Sequence, residues 1–152
     1  MRPVLARGIL LLALVAACGG GDGPTGPGDL INGTFSARVD GSAFNATSAT
    51  VLVNGNITSI GAGNASGQGM GFAWLDAGPG TYAISNLSPT NGTYTIMGGG
   101  WVAGVTGGSG SIVVTTRTAN RVAGTFSFVM VPSSGSASGN KTISQGSFDL
   151  TF

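Results

Sequence analysis

From Gly33 to Phe152, apolar side chains recur at every second position over short runs, and the positions between them hold mostly Ser, Thr, Asn and Gly. "SIVVTT", "RVAGTFSFVMV" and "GSFDLTF" are the clearest cases. A period of two is that of a strand with one face buried, because successive side chains point to opposite sides. No segment after Ala17 carries the 3.6-residue apolar period of an amphipathic helix.

Within the alternation one short word returns: "GTFSA" at Gly33, "GTYAI" at Gly80, "GTYTI" at Gly92, "GTFSF" at Gly124 and "GSFDL" at Gly146. Alternation sends its aromatic toward the core and its hydroxyl the other way, so Phe35, Tyr82, Tyr94, Phe126 and Phe148 are expected inside. The leading glycine suits a strand entry or bulge. The uneven spacing of the words excludes a solenoid. "DG" at Asp40 and "NG" at Asn54 and Asn91 are hairpin signals of the type I′ kind. Strands are expected near 33–40, 43–53, 56–62, 69–76, 80–86, 92–97, 100–106, 109–117, 121–131 and 141–152. In the last, Phe148, Leu150 and Phe152 face the core and Asp149 faces out. So many short strands, each with one apolar face, predict an all-β fold, an antiparallel β-sandwich or partly closed β-barrel.

The N-terminal segment follows another rule. Arg2 and Arg7 precede or flank an apolar run from Gly8 to Ala17, about half of the roughly 20 residues that a membrane-spanning helix needs. It reads as a secretion signal. The run ends in "LVAACGGG", which contains Cys18, the only cysteine of the chain. A lone thiol in an exported chain has no intramolecular disulfide partner. With Val15, Ala16 and Ala17 before it, Cys18 resembles the lipidated cysteine of a bacterial lipoprotein signal. The resemblance implies that Cys18 becomes the first mature residue and carries a thioether-linked diacylglycerol. Gly19, in place of an inner-membrane retention aspartate, implies the outer membrane, with its periplasmic or surface face left open. The alternative is an ordinary signal peptide with a spectator cysteine. Two or three acyl chains hold a protein stably on a bilayer where one does so marginally, each buried methylene contributing about 0.8 kcal/mol.

"GGGDGPTGPGD", Gly19 to Asp29, is too poor in apolar residues to offset its own ordering entropy. It is expected to act as a tether spanning roughly 17–20 Å. The chain therefore divides into a signal peptide (1–17), the lipidated cysteine and tether (18–29) and a single all-β domain (30–152).

Composition narrows function mainly by exclusion. The net charge is +1, with 6 Lys and Arg against 5 Asp, and there is no histidine or glutamate. Without a basic stripe to neutralise phosphates, nucleic acid is excluded as a partner. Without histidine, glutamate or a second cysteine, the common general bases, metal ligands and thiolate nucleophiles are missing. No catalytic residue, metal site or cofactor is assigned. Asp76, before the "GPG" turn, and Asp149 are read as structural in preference to calcium or carboxylate-pair chemistry. The glycine-rich runs lack the G-K-[ST] of a phosphate loop.

"ARVDGSAF", the "GTY" words, "GGSGSIVVTT", "RVAGTFSF" and the closing "GSFDLTF" together resemble an uncharacterised family of small secreted bacterial β-rich lipoproteins. The resemblance spans Gly33 to Phe152. It implies the fold and the anchor and supplies no catalytic residues.

The candidate ligand-binding residues are Trp101 and Trp74. Trp74 shares a strand face with Met70 and Phe72, which favours the core. Trp101 follows three glycines, and as an exposed indole among Asn, Ser and Thr it would stack on a sugar ring. The expected function is a lipid-anchored, non-catalytic envelope domain that holds the membrane through Cys18 and binds a glycan or an envelope protein. A purely structural envelope lipoprotein and an unusual Asp- or Ser-based hydrolase are the alternatives.

Overall fold

The computed structural model describes residues 32–152; the signal segment, Cys18 and the tether lie outside the described residues. The described chain forms β1 (Gly33–Val39), β2 (Ser42–Asn45), β3 (Ser48–Asn54), β4 (Ile57–Gly63), β5 (Gly69–Leu75), β6 (Gly80–Ile84), β7 (Asn91–Ile96), β8 (Gly99–Ala103), β9 (Ser109–Arg117), β10 (Arg121–Gly135) and β11 (Lys141–Thr151). No helix occurs among the described residues. The fold is all-β, an antiparallel sheet curled into a half-barrel.

The hydrogen-bonded order is β2-β1-β11-β10-β8-β7-β5-β4-β3, with β9 on β10 and β6 on β9. The two ends of this path, β2 and β3, are consecutive in the chain. The expected single strand over 43–53 breaks there, at Ala46 and Thr47, because the chain passes from one sheet to the other. The Ala46 N–H bonds to the Phe35 carbonyl on β1 (3.0 Å), and the Thr47 N–H bonds to the Gly63 carbonyl on β4 (2.8 Å). The second link between the sheets is β10. Val122 to Val129 pairs with β9, Arg121 to Met130 pairs with β11, and Val131 to Gly135 pairs with β8.

The inward side chains meet in one aromatic cluster. Ring centroids lie 4.8 Å apart for Phe72 and Phe126, 5.2 Å for Phe35 and Phe126, and 5.5 Å for Phe72 and Phe148. Four of the five word aromatics are buried; Tyr82 is half-buried on β6. Phe148 and Leu150 point in and Asp149 points out, as alternation requires.

Two features of the wall depart from simple alternation. In β11, Ser144, Gln145 and Gly146 form a bulge, with an extra residue relative to both β1 and β10. Gln145 takes the left-handed conformation there (φ 49°). The bulge shifts the inward parity, so that Ile143 on one side and Phe148 on the other are both buried. Turn positions also differ. Asp40 and Gly41 do form a tight hairpin with positive φ at both residues (49° and 83°). Asn54, however, is the last residue of β3, pairs with Ile57 and leaves Gly55 and Asn56 as the turn. Asn91 and Gly92 are no turn at all but the start of β7, where a Cβ on Gly92 would lie 3.2 Å from the Phe128 ring.

Close approach explains the glycine that opens the last word. A Cβ on Gly146 would lie 2.5 Å from the Phe126 carbonyl oxygen and 2.6 Å from its ring, whereas one on Gly61 meets nothing within 4 Å. Gly146→Ala is expected to cost about 2 kcal/mol or more through overpacking. Gly61→Ala should stay within about 0.5 kcal/mol of the parent. Urea midpoints of the two variants check this.

Candidate functional site

The half-barrel has two distinguishable ends. At one, β1 begins at Gly33 and β11 finishes, held by the Thr151 N–H to the Asn32 carbonyl (2.8 Å). At the other, β1 ends in the Asp40 turn and β11 begins at Lys141. Six intervals of strand at about 3.3 Å each put roughly 20 Å between them.

A pocket of about 400 Å³ opens at the Asp40 end. It is lined by Val39, Asp40, Ser42, Ala43, Gln68, Tyr94, Ile96 and Lys141, drawn from both sheets. The Asp40 turn brings a carboxylate to the rim, where it accepts from Lys141 Nζ (2.8 Å) and the Thr142 N–H (2.8 Å). The Lys141 hydrogen bond, followed by that of Thr142, holds the Asp40 carboxyl below the usual carboxylate range. Tyr94 is buried to 3% exposure. Burial raises its pKa, so at neutral pH the phenol keeps its proton and can donate it in a hydrogen bond. Gln68 accepts from Asn64 Nδ2 through its own carbonyl (2.8 Å), which leaves its NH₂ as a further donor. The pocket thus joins a neutral phenol, an amide, a hydroxyl and an ammonium–carboxylate pair to the apolar flanks of Val39, Ala43 and Ile96.

Trp101 lies behind this pocket and not at its surface. It is 4% exposed, and its Nε1 donates to the Gly139 carbonyl (2.9 Å). Its ring packs on Tyr94 (5.8 Å between centroids) and beneath Lys141 Nζ (5.4 Å). The expectation of an exposed stacking indole is therefore corrected. Gly99 makes room for it, since a Cβ there would lie 3.2 Å from the ring. Trp74 is equally unavailable at 1% exposure, packed on Phe72 and Tyr82. Its Nε1 finds no hydrogen-bond partner among the described residues. Neither indole offers a free face, and what reaches the pocket is Tyr94, supported by Trp101.

The opposite end is closed by a polar network around Asp76. Arg117 Nε bonds to Oδ2 of Asp76, Thr58 Oγ1 donates to the same oxygen (2.6 Å), and the Gly78 N–H donates to Oδ1 (3.0 Å). Tyr82 ties the following turn by accepting from the Ala77 N–H (2.9 Å) and donating to the Gly78 carbonyl. Burial acts to raise the Asp76 pKa, but the hydrogen bonds from Arg117, Thr58 and Gly78 outweigh it and hold the group below its ordinary value of 3.8. With its oxygens engaged in this way, Asp76 is a structural carboxylate. Asp149 is likewise tied, accepting from Arg121 Nε (2.8 Å) and Nη2 (2.7 Å) in a bidentate pair on the surface. No cluster of three or more acidic, His or Cys side chains that could hold a metal occurs among the described residues.

A shallow hollow of about 410 Å³ beside Asn32, Gly33, Thr34, Asp149 and Thr151 contains no ionisable group other than Asp149. The mouth pocket is the better-equipped site. Tyr94, Lys141, Asp40 and Gln68 were not singled out from the sequence as site residues. The one local signal was a tyrosine where three of the five words carry phenylalanine, because an inward phenol requires a polar neighbour or an opening.

Residues 32–149 match a family described as a domain of unknown function, DUF6252. The chain belongs to that family. No curated protein and no solved structure matches it. Membership in DUF6252 covers the whole barrel except the last residues of β11, so both the mouth pocket and the Asp76 network fall inside the family's span.

The Asp76–Arg117 pair sets the expected pH response. Asp76, Asp40 and Asp149 all have depressed carboxyl pKa values. Their stabilisation is fully present above the ordinary value of 3.8 and is lost as pH falls through the lower folded-state values. With no histidine or glutamate in the chain, the urea midpoint should stay level from about pH 8 to pH 5 and fall below about pH 4. Asp76→Asn leaves Arg117, 17% exposed, without its counter-charge. The substitution should cost about 2 kcal/mol at pH 7, less than a fully buried pair would. It should also flatten the acid limb.

Proposed function

We propose that this chain is a lipid-anchored, non-catalytic domain of the cell envelope that binds a polyhydroxylated ligand, a glycan or the glycan part of an envelope component, in the mouth pocket. Cys18 carries the lipid and holds the protein on the outer membrane. The observation that carries this reading is the pocket at the end of the barrel remote from Asn32, where the N-terminal segment joins. Its chemistry suits a sugar. Tyr94 supplies a phenol donor, Lys141, Gln68 and Ser42 supply further donors, and Asp40 supplies an acceptor, beside the apolar flanks of Val39, Ala43 and Ile96.

The state of the carboxylates supports a binding role over a catalytic one. Asp40, Asp76 and Asp149 are each paired with a different cation. Their pKa values are held low, which leaves none poised to give or take a proton near neutrality.

Binding to a glycan array by the lipidated protein in detergent tests this. Recognition should fall tenfold or more, about 1.4 kcal/mol, in Tyr94→Phe and in Lys141→Met. Leu52→Ser, far from the pocket, should leave it unchanged. A blank array, with an envelope protein retained by parent and pocket variants alike, would contradict the sugar reading. Mass spectrometry of the purified protein should find acyl chains on Cys18, and Cys18→Ser should abolish them.

A further inference from the structure

At the end of the barrel where the chain enters, the tip of the β3–β4 hairpin and the adjoining end of β5 expose an apolar patch. Leu52 is 65% exposed, Ile57 44% and Leu75 41%. Ile57 and Leu75 are direct cross-strand partners. Leu52 lies diagonally across from Ile57 on the same outer face, because Ile57 pairs with Asn54 two residues further on. From Ser48 to Leu75 no residue is charged, although β3 is an edge strand, where charges normally guard against unwanted pairing. An uncharged, apolar edge next to water is a liability unless something covers it.

The position of the patch points to what covers it. Contacts run without a break from the hairpin to the root of the N-terminal segment. The Asp76 N–H bonds to the Asn56 carbonyl (2.6 Å), Asp76 binds Arg117, Arg117 lies over the Phe152 ring (5.5 Å), and the neighbouring Thr151 N–H holds the Asn32 carbonyl. The patch and the point of attachment therefore share one end of the barrel. Thirteen residues lie between Cys18 and Asn32, and the fourteen steps from one to the other reach at most about 50 Å fully extended. A lipid on Cys18 holds this end near the bilayer at a high effective concentration, so even a weak apolar contact becomes populated. The cationic groups at this end, Arg117 and Arg121, are already matched by Asp76 and Asp149. The contact is thus apolar in character and does not depend on anionic lipid.

We infer that Leu52, Ile57 and Leu75 form a membrane-contacting foot that seats the barrel on the lipid surface and turns the mouth pocket away from it. This inference rests on lipidation of Cys18 and adds an orientation to it. The test uses the full lipidated protein in phosphatidylcholine vesicles, with Cys18 taken up by lipid, so that a single introduced thiol can be labelled with an environment-sensitive fluorophore. Asn54→Cys places the label at the foot, and Met97→Cys, at a 98% exposed residue in the turn between β7 and β8, places it at the other end. The Asn54 label should show blue-shifted emission and severalfold stronger quenching by spin-labelled lipid than the Met97 label. Adding Leu52→Ser, Ile57→Ser and Leu75→Ser to the Asn54→Cys protein should return its emission to the aqueous value. These positions already face outward, so the triple variant is expected to keep the barrel's circular dichroism. Acylated Cys18 with an aqueous label at Asn54 would overturn the foot and leave the anchor standing. Unacylated Cys18, read by mass spectrometry on the same sample, would overturn the anchor and the foot with it.

Discussion

One strand belongs to both halves of the wall, and the rest of the barrel depends on it. β10 pairs with β11 and β9 over its first part and with β8 over its last, so sheet continuity passes through the backbone between Met130 and Val131. Its inward residues Phe126, Phe128 and Met130 lie in the same stretch and supply the centre of the aromatic cluster. Hydrogen bonding and apolar burial thus coincide on a single segment. The other junction, at Ala46 and Thr47, is made by a single backbone hydrogen bond to each sheet and leaves a seam. A wall closed by one long strand and one seam is a half-barrel.

That arrangement gives the two ends different chemistry. The end near Asn32 is sealed by Asp76, Arg117, Thr58 and Tyr82, a network in which each polar group finds a partner inside the protein. The other end is left open between the Asp40 turn, the β4–β5 loop and β7, with Tyr94 and Lys141 set on the indole of Trp101. The sealed end carries the attachment point and the open end carries the pocket. Under the proposed anchoring through Cys18, this polarity leaves the pocket at the end away from the attachment point.

Much of the wall was legible in the sequence because alternation is a local property. The strand over 109–117 is where the "SIVVTT" pattern puts it, and the alternation of "GSFDLTF" places Phe148 inside and Asp149 outside. What alternation cannot encode is a register set by two neighbours at once. The bulge at Gln145 exists because β11 must satisfy both β1 and β10, and nothing in "KTISQGSF" marks a left-handed glutamine. Trp101 shows the same limit from the other side. A run of glycines is read locally as backbone freedom, yet Gly99 is small because the Trp101 ring occupies the space of its side chain, and Gly100 because Ser134 lies across from it. The pocket was hidden for a related reason: Asp40, Gln68, Tyr94 and Lys141 are spread over about a hundred positions and meet only when the sheet curls.

If β10 joins the two sheets into one cooperative unit, native-state hydrogen exchange is the direct measurement. The protected amides of β1 and β11 on one side and of β4, β5 and β7 on the other should share one opening free energy, with the same dependence on added denaturant, as expected for global unfolding. Exchange of β4, β5 and β7 at a distinctly lower free energy, while β1 and β11 remain protected, would show two separately stable sheets and would contradict the account.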